Sequence, residues 1–390
     1  MRIIFVCGGI EPGRDGVGDY IRRLSGELSH LGHTVGAVAI NDTGIDTTSE
    51  EQQGMEAAPF VVLRLPRSLI QRERAAQAAR WIGKFQPDWI SLQFVCFGFH
   101  PKGFVSGWTT FFSELCSAYR VHWMFHELWV RSEKGLPWHY GPWGWLQRRQ
   151  MLKLHRRLSP LATHTSNEFY AKRLKASAIN AEILPLFGNI PISRDREWWP
   201  EIERVAAVLQ SSRADRLVLG VFGTIHWSWL LENWFTRVLQ WAQANGCTVA
   251  MLGIGRLSET SRKMWEKLKT QYSGQAGFHH FGEQSPARVS QYLSFLDYGV
   301  ATGQASMAGK SGTIAAMLEH GKEVLVPCWD LPTDGSSPIA GVSTKRRFGM
   351  ASLMIDSEMA KFGVENIANR LMNTLEAIKA DLISPLANRV

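Results

Sequence analysis

The sequence predicts an α/β protein with two Rossmann-like, doubly wound parallel sheets, one in each half of the chain. Short apolar runs of strand length alternate with helical stretches, which is the pattern of parallel strands joined by crossover helices. This rhythm stops at residues 191–200, a proline-bounded stretch typical of a linker, and then begins again. A chain of 390 residues is also long enough for two or three domains that each bury a core.

In the first half, the apolar run at 3–7 predicts a strand that leads into a glycine-containing loop. An amphipathic helix is expected from about residue 19 to 31, because Tyr20, Leu24, Leu28 and Leu31 recur at helical spacing. Further buried strands are predicted at 34–40, 61–65, 89–95, 121–125 and 183–186.

The second half repeats this plan. The apolar run at 217–222 predicts a strand that ends at Gly223, and a helix is expected over 229–245. Further strands are predicted at 248–252, 278–281, 298–301 and 323–326. We therefore expect an N-terminal domain over 1–190, a C-terminal domain over 191–370, and a helix over 371–390 that could cross back to the N-terminal domain. Two such domains facing each other would place the ligand-binding ends of their strands on a common cleft.

Composition narrows the class of protein. Hydrophobic residues make up 45% and charged residues 20%, as in ordinary globular proteins, and no apolar run approaches the ~20 residues that span a bilayer. The N-terminus becomes glycine-rich too early for a signal peptide, and five scattered cysteines without a C-x-x-C pair fit a reducing compartment. These features predict a cytoplasmic protein. The net charge of +8 lies mostly before residue 190, which suits nucleic acid, a phosphorylated substrate or an acidic membrane surface.

The segment Gly309-Lys-Ser-Gly-Thr313 is the strongest local signal of function. It opens a helical run, and a helix start offers unbonded N–H groups and the positive end of the helix dipole, so phosphate is a natural guest. A capped helix start with Lys310 in solvent is the alternative. A P-loop is excluded because five residues, and not four, separate Gly303 from Gly309.

Several segments together resemble the nucleotide-sugar glycosyltransferases of GT-B fold, in particular glycosyltransferase family 4. The resemblance spans nearly the whole chain, and its specificity comes from the order of the segments. They are Gly8-Gly9, Gly16-Val-Gly-Asp-Tyr20, Leu31-Gly-His-Thr-Val35, Phe125-His126-Glu127, the segments 278–282 and 289–297, and the segment 315–324.

The resemblance implies a donor sugar-nucleotide held mainly by the C-terminal domain and an acceptor held by the N-terminal one. It assigns the catalytic roles to His126 and Glu127, although a core histidine and a helix-capping carboxylate are the plain alternatives. No cofactor is implied beyond the nucleotide-diphosphate sugar, and no metal, because Asp-x-Asp and His-Glu-x-x-His motifs are missing from the sequence. The implied donor-binding residues are Gly16, Gly18, Gly223, Thr224, Gly253, Glu283, Lys310, Ser311, Gly312 and Thr313.

The acceptor side is predicted at an aromatic loop over 137–145. Trp138, Tyr140 and Trp143 offer faces that stack on sugar rings, and the basic helix over 145–157 could meet an acidic membrane. A locally packed loop beside a solvated helix is the alternative, and no nucleic-acid module supports a nucleic-acid partner. We expect a glycan, lipid-linked or small-molecule acceptor.

Two departures from the family pattern keep other functions open. Ala308 and Ala316 stand where family members usually carry two glutamates, and 223–229 lacks the usual Arg and Lys. Lys310 could supply the missing positive charge. The alternatives are a non-catalytic sugar-nucleotide or glycan-binding protein of the same fold, and a sugar-nucleotide epimerase.

Overall fold

The computed structural model describes residues 1–54, 59–130, 138–207, 212–225, 231–303, 305–327, 342–348, 350–355 and 363–387. The chain divides into two compact units: unit 1 comprises residues 1–185 and 364–390, and unit 2 comprises residues 186–363. Both boundaries lie a few residues earlier than those expected from the sequence.

Within the described residues, unit 1 contains an eight-stranded sheet in the order β3-β4-β2-β1-β5-β6-β7-β8. Every neighbouring pair is parallel except β3 with β4. The strands are β1 (Arg2–Cys7), β2 (Thr34–Asp42), β3 (Ser49–Gln53), β4 (Phe60–Pro66), β5 (Trp89–Phe94), β6 (Arg120–Phe125), β7 (Ala162–Thr165) and β8 (Glu182–Ile183).

The described part of unit 2 contains a seven-stranded sheet in the order β11-β10-β9-β12-β13-β15-β14. The first five strands in this order are parallel, and β15 pairs antiparallel with both β13 and β14. The strands are β9 (Arg216–Phe222), β10 (Thr248–Ile254), β11 (Gly277–His280), β12 (Tyr298–Val300), β13 (Glu323–Val326), β14 (Val342–Arg347) and β15 (Met350–Ile355).

Helices connect the strands of both sheets. Unit 1 contains α1 (Gly16–His30), α2 (Gln71–Phe85), α3 (Cys96–Phe99), α4 (Thr109–Ala118), α5 (Gly141–Leu158) and α6 (Glu168–Lys175). Unit 2 contains α7 (Trp199–Ala206), α8 (Leu231–Ala244), α9 (Glu259–Gln271), α10 (Pro286–Phe295) and α11 (Gly312–Glu319). The last helix, α12 (Val364–Ala387), belongs to unit 1 and packs on α1. In the described part of the chain, no helix combines the length and the apolar character needed to cross a membrane.

The central strands are buried on both faces, as parallel sheets require. In unit 2, Leu219 and Val221 of β9 face a core that contains Phe235 of α8. Val218 points to the opposite face and belongs to a second core with Tyr292 of α10. This alternation follows from the two-residue period of a strand. It explains why the buried strands read as continuous apolar runs in the sequence.

The predicted class, two doubly wound sheets dominated by parallel strands, is confirmed. Every predicted strand has a counterpart, and β3, β7, β14 and β15 are additional. The segment Ser49–Gln53 is a polar antiparallel edge strand, so it carries no apolar signal. The N-terminal residues 229 and 230 of the helix expected over 229–245 lie outside the described residues.

The strand order places a reversal point in each sheet. The order runs outward in opposite directions from β1 and β5 in unit 1, and from β9 and β12 in unit 2. Ligands of open α/β sheets bind beyond the carboxyl ends of the strands at such a point. These two places are therefore where functional residues are expected.

Candidate functional site

In unit 2, the loops after β9 and β10 present bare backbone at the carboxyl edge of the sheet. Gly223 and Gly255 have φ values of +82° and +108°, which other residues rarely adopt. A Cβ on Gly255 would lie 3.0 Å from Gly223 Cα. The two glycines therefore let these loops pack closely, and both remain partly exposed at this edge of the sheet.

The N-terminus of α11 lies against this bare backbone. A Cβ on Gly223 would lie 3.0 Å from Thr313 Cγ2 in the first turn of α11. The N-cap residue Ser311 accepts a hydrogen bond from Ile314 N at 3.3 Å, and its Oγ lies 2.9 Å from Thr313 Oγ1. The first two helical amides, of Gly312 and Thr313, have no acceptor within the helix by its geometry. The positive end of the helix dipole therefore lies at the strand ends, next to Gly223.

Three polar groups complete this edge. Lys310 is half-buried and immediately precedes the cap of α11. Thr302 Oγ1 donates to the carbonyl of Thr224 at 2.9 Å, which joins the loops after β9 and β12 across the reversal point. Asn189 Oδ1 is buried with no hydrogen-bond partner among the described residues, and it lies 4.0 Å from where a Cβ on Gly312 would be.

Two other predicted donor residues of unit 2 have different surroundings. Gly253 lies inside β10, where a Cβ would come within 2.4 Å of the His280 ring, so tight packing explains this glycine. Glu283 is exposed and forms an ion pair with Arg256 at 2.5 Å. Both residues adjoin the cluster around Gly223 along the chain, since Ile254 accepts from the amide of Gly223 and Gly282 accepts from the amide of Gly255.

In unit 1, His126 ends a hydrogen-bonded chain that runs through the interior of the sheet. Its Nε2 lies 2.7 Å from Gln93 Oε1. Gln93 Nε2 donates to Ser91 Oγ at 2.6 Å, and Ser91 Oγ lies 2.7 Å from His122 Nδ1. His122 Nε2 in turn lies 3.0 Å from His164 Nδ1. All five side chains are buried.

We assign the tautomer of each ring from the atoms that its nitrogens face. Gln93 Oε1 can only accept, so His126 carries its proton on Nε2 and leaves Nδ1 as an acceptor. Ser91 Oγ accepts from Gln93, and its proton is satisfied by donation to His122 Nδ1. His122 then donates from Nε2 to His164.

Burial makes these rings neutral. It lowers the pKa of His126 from 6.5 to about 3 and that of His164 to about 4, and it lowers the pKa of His122 as well. The His126 and Tyr20 rings also form a T-shaped pair at a centroid distance of 4.9 Å. At neutral pH, His126 is therefore a fixed hydrogen-bonding group and not a cation.

The glycines predicted at the start of α1 adjoin a carboxylate. Asp15 caps this helix and accepts from the amides of Val17 and Gly18, both at 2.9 Å. A Cβ on Gly18 would lie 2.8 Å from Ile10 Cα, whereas nothing lies within 4 Å of one on Gly16. Since Asp15 already occupies this helix start, α11 is the better anion site.

Solved structures with a similar fold include sucrose-phosphate synthase from Thermosynechococcus elongatus. It is 14% identical, with a TM-score of 0.54, and the match covers 100% of this chain and 98% of that one. Anabaena HepE in complex with UDP and glucose is 12% identical, with a TM-score of 0.53 and full coverage of both chains. The trehalose-phosphate synthase of Burkholderia xenovorans, in complex with glucose-6-phosphate, is 10% identical, with a TM-score of 0.51 and coverage of 96% and 99%. No protein-family model and no curated protein sequence matches the chain.

The chain has the GT-B fold.

In this GT-B protein, the segment predicted as an aromatic loop over 137–145 is largely helical: Trp138–Tyr140 form a 3₁₀ turn, and α5 begins at Gly141. Pro137 lies outside the described residues. Trp138 is 82% exposed. Trp143 is half-buried, donates from Nε1 to the carbonyl of Lys102 at 2.8 Å and packs edge-on against Phe97. Tyr140 packs against Trp143 at a centroid distance of 5.9 Å, so of the three aromatic residues predicted to bind the acceptor, Trp138 is the one most exposed to solvent.

Two sets of hydrogen bonds at these sites were not predicted from the sequence. They are the hydrogen-bonded series of side chains from Ser91 to His164 and the bond between Thr302 and Thr224. One signal was present: Ser91 and Gln93 are polar residues at alternate positions of an otherwise apolar strand, which places both on one buried face. Among the described residues, no group of three or more His, Cys, Asp or Glu side chains is placed to hold a metal ion.

Proposed function

We propose that the chain transfers a sugar from a nucleotide-diphosphate sugar to a hydroxyl group of an acceptor. The observation that carries this proposal is the meeting of the bare backbone at Gly223, the N-terminus of α11 and Lys310 at the reversal point of unit 2. An anion-binding helix start beside accessible backbone suits a diphosphate. The GT-B fold supports it, because HepE, which shares that fold, is described with UDP and glucose.

In this proposal, the residues of unit 2 stabilise the negative charge that develops on the leaving diphosphate. The donors are the amides of Gly312 and Thr313, the hydroxyl of Thr313, the backbone of Gly223 and Thr224, and the ammonium of Lys310. Preorganised donors of this kind can each contribute about 3 kcal/mol to the transition state. A set of this composition supports transfer without a metal ion. Ser311 acts indirectly, because its hydroxyl caps α11.

In unit 1, we assign His126 to a hydroxyl group of the sugar. Its Nε2 proton is committed to Gln93, so its Nδ1 can accept a hydrogen bond from that hydroxyl. With a pKa of about 3, His126 is a poor proton acceptor at neutral pH. We therefore assign it an orienting role, and assign removal of the acceptor proton to the half-buried Glu127.

For the acceptor, we propose a glycan, lipid-linked or small-molecule hydroxyl, as in polysaccharide or glycoconjugate synthesis. Trp138 offers an exposed aromatic face for a sugar ring. On α5, Trp145, Arg149, Lys153 and Arg156 are exposed, which supports peripheral contact of 145–157 with an acidic membrane on the cytoplasmic side.

A binding panel tests the donor site. The protein is heated with UDP, GDP, ADP, CDP or dTDP and representative sugar nucleotides, with and without EDTA. We expect selective stabilisation by one nucleotide that EDTA leaves unchanged, followed by slow hydrolysis of the matching donor. Stabilisation without any hydrolysis or transfer would favour a non-catalytic binding protein. If no nucleotide stabilises the protein, the proposed donor site is wrong.

A further inference from the structure

Unit 1 contains a cavity whose lining is cationic and aromatic. It has a volume of about 440 Å³ and lies at the carboxyl end of β2, between that strand, the start of α2 and the segment 99–108. Arg67, Arg74 and His100 line it together with the rings of Phe99, Phe104 and Trp108. None of the described lining residues is Asp or Glu. A cavity of this size suits a small ligand.

The positive charge of Arg74 is held in place without a carboxylate partner in the described structure. Arg74 is 7% exposed, and its Nη1 donates to the carbonyl of Ile40 at 2.8 Å and to Asn41 Oδ1 at 2.5 Å. Its Nε is buried without a partner among the described residues, and its guanidinium carbon lies 5.1 Å from the centre of the Trp108 ring. Burial and the nearby charge of Arg67 lower the pKa of Arg74. A buried charge of this kind is stabilised when an anion binds.

His100 adds a third donor to the same cavity. Its Nδ1 accepts hydrogen bonds from the amides of Lys102 at 3.1 Å and Phe104 at 3.4 Å. Burial, and then the charges of Arg67 and Lys102, lower the pKa of His100, so the ring is neutral. The remaining proton is therefore on Nε2, where it can be donated to a ligand. Two guanidinium groups and one imidazole N–H match the acceptor oxygens of a phosphate.

The cavity adjoins the reversal point of the unit 1 sheet. The Asn41 amide N–H donates to the carbonyl of Gly8, and its side-chain Nδ2 donates to the carbonyl of Gly98, both at 2.8 Å. Gly8 and Gly98, which follow β1 and β5, are so close that a Cβ on Gly8 would lie 2.3 Å from Gly98 O. A ligand whose anionic end occupies the cavity can therefore extend toward the strand ends where substrates of such sheets bind.

We propose that this cavity binds the phosphate group of the acceptor, so that the acceptor is a phosphorylated compound and not a neutral glycan. This inference rests on the proposed transferase function. It narrows the acceptor to two sources of the same chemistry, a water-soluble sugar phosphate or a lipid phosphate. The aromatic rings around the cationic groups would pack against the part of the acceptor nearest the phosphate.

The test is calorimetric titration of the full chain, at constant ionic strength, with glucose-6-phosphate, farnesyl phosphate and glucose. We expect at least one phosphate to bind and glucose to bind far more weakly. Arg67→Ala removes an exposed cavity arginine and should raise the dissociation constant of that phosphate about tenfold, since a hydrogen bond to a charged group is lost. Arg72→Ala removes an exposed arginine of α2 that does not line the cavity, and it should leave the affinity unchanged. Whichever phosphate binds identifies its source.

Equal binding of glucose and the phosphates, or equal effects of Arg67→Ala and Arg72→Ala, would overturn the inference. UDP and the nucleotide identified by the panel are titrated into the same variants, which separates the two proposals. Nucleotide binding without phosphate binding would refute the cavity assignment and leave the proposed donor site intact. If phosphate binding requires Arg67 but the protein binds no nucleotide, the cavity is an anion site and the transferase proposal is wrong. The acceptor assignment, which rests on that proposal, is then wrong as well.

Discussion

Acidification from pH 7 to pH 5 should destabilise unit 1, because His126 is buried as a neutral ring. Its pKa is about 3 in the folded protein and 6.5 in the unfolded chain. Since the folded pKa is the lower one, the unfolded state takes up the proton first. Stability from this group is therefore constant above about pH 6.5 and is lost as the pH falls from there toward 3.

The magnitude follows from the difference between these pKa values. Each unit of pH below 6.5 costs about 1.4 kcal/mol until the folded pKa is approached, so His126 alone should account for about 2 kcal/mol at pH 5. His164, with a pKa of about 4, and His122, whose pKa is also lowered, add losses of the same sign. The chain of hydrogen bonds from Gln93 to His164 depends on these rings being neutral.

The assay compares wild type with His126→Gln in urea titrations at pH 7 and pH 5. Amide exchange of peptides from β5 and β6, followed by mass spectrometry, reports unfolding of unit 1 separately from unit 2. His126→Gln should lose about 2 kcal/mol less than wild type between the two pH values, whatever its stability at pH 7. His30→Gln, which removes an exposed histidine, is the matched control. An identical pH-dependent loss in wild type and His126→Gln would refute the reasoning.

Three further predictions concern the proposed donor and acceptor sites. Lys310→Ala should weaken nucleotide binding about tenfold to a hundredfold in calorimetry, because a charge-assisted contact to the diphosphate is lost. Lys263→Ala, at an exposed position of α9, should leave nucleotide binding unchanged. Gly223→Ala and Gly246→Ala both force a side chain to positive φ, at a cost of about 1 kcal/mol or more of thermal stability. Only Gly223→Ala should also reduce nucleotide affinity, because its Cβ would press on the first turn of α11, while nothing lies within 4 Å of one at position 246. Trp138→Ala should lower the transfer rate with nucleotide affinity unchanged, because it removes the exposed aromatic face proposed to hold the acceptor; unaltered kinetics would remove this tryptophan from the acceptor site.

Much of the proposed donor site was predictable because its parts are local in sequence. The loop at Gly223 and the helix start at Lys310–Thr313 carry their own backbone signals, and the structure brings them together. Gly253 and Glu283 were harder to judge, because a glycine in a strand or a carboxylate in a loop looks the same whether it packs, pairs or binds. The structure adds their contacts with His280 and Arg256, and their donor-binding role stays a prediction.

The sequence by itself determined the two parallel-dominated sheets, since buried parallel strands must be apolar on both faces and crossover helices must be amphipathic. The tertiary structure alone decided the protonation state of His126 and the charge of the cavity beside Asn41. Both depend on groups from strands or helices far apart in the chain, and burial makes their electrostatics strong. A sequence pattern records which residues are apolar, but it does not record which polar residues share a buried face.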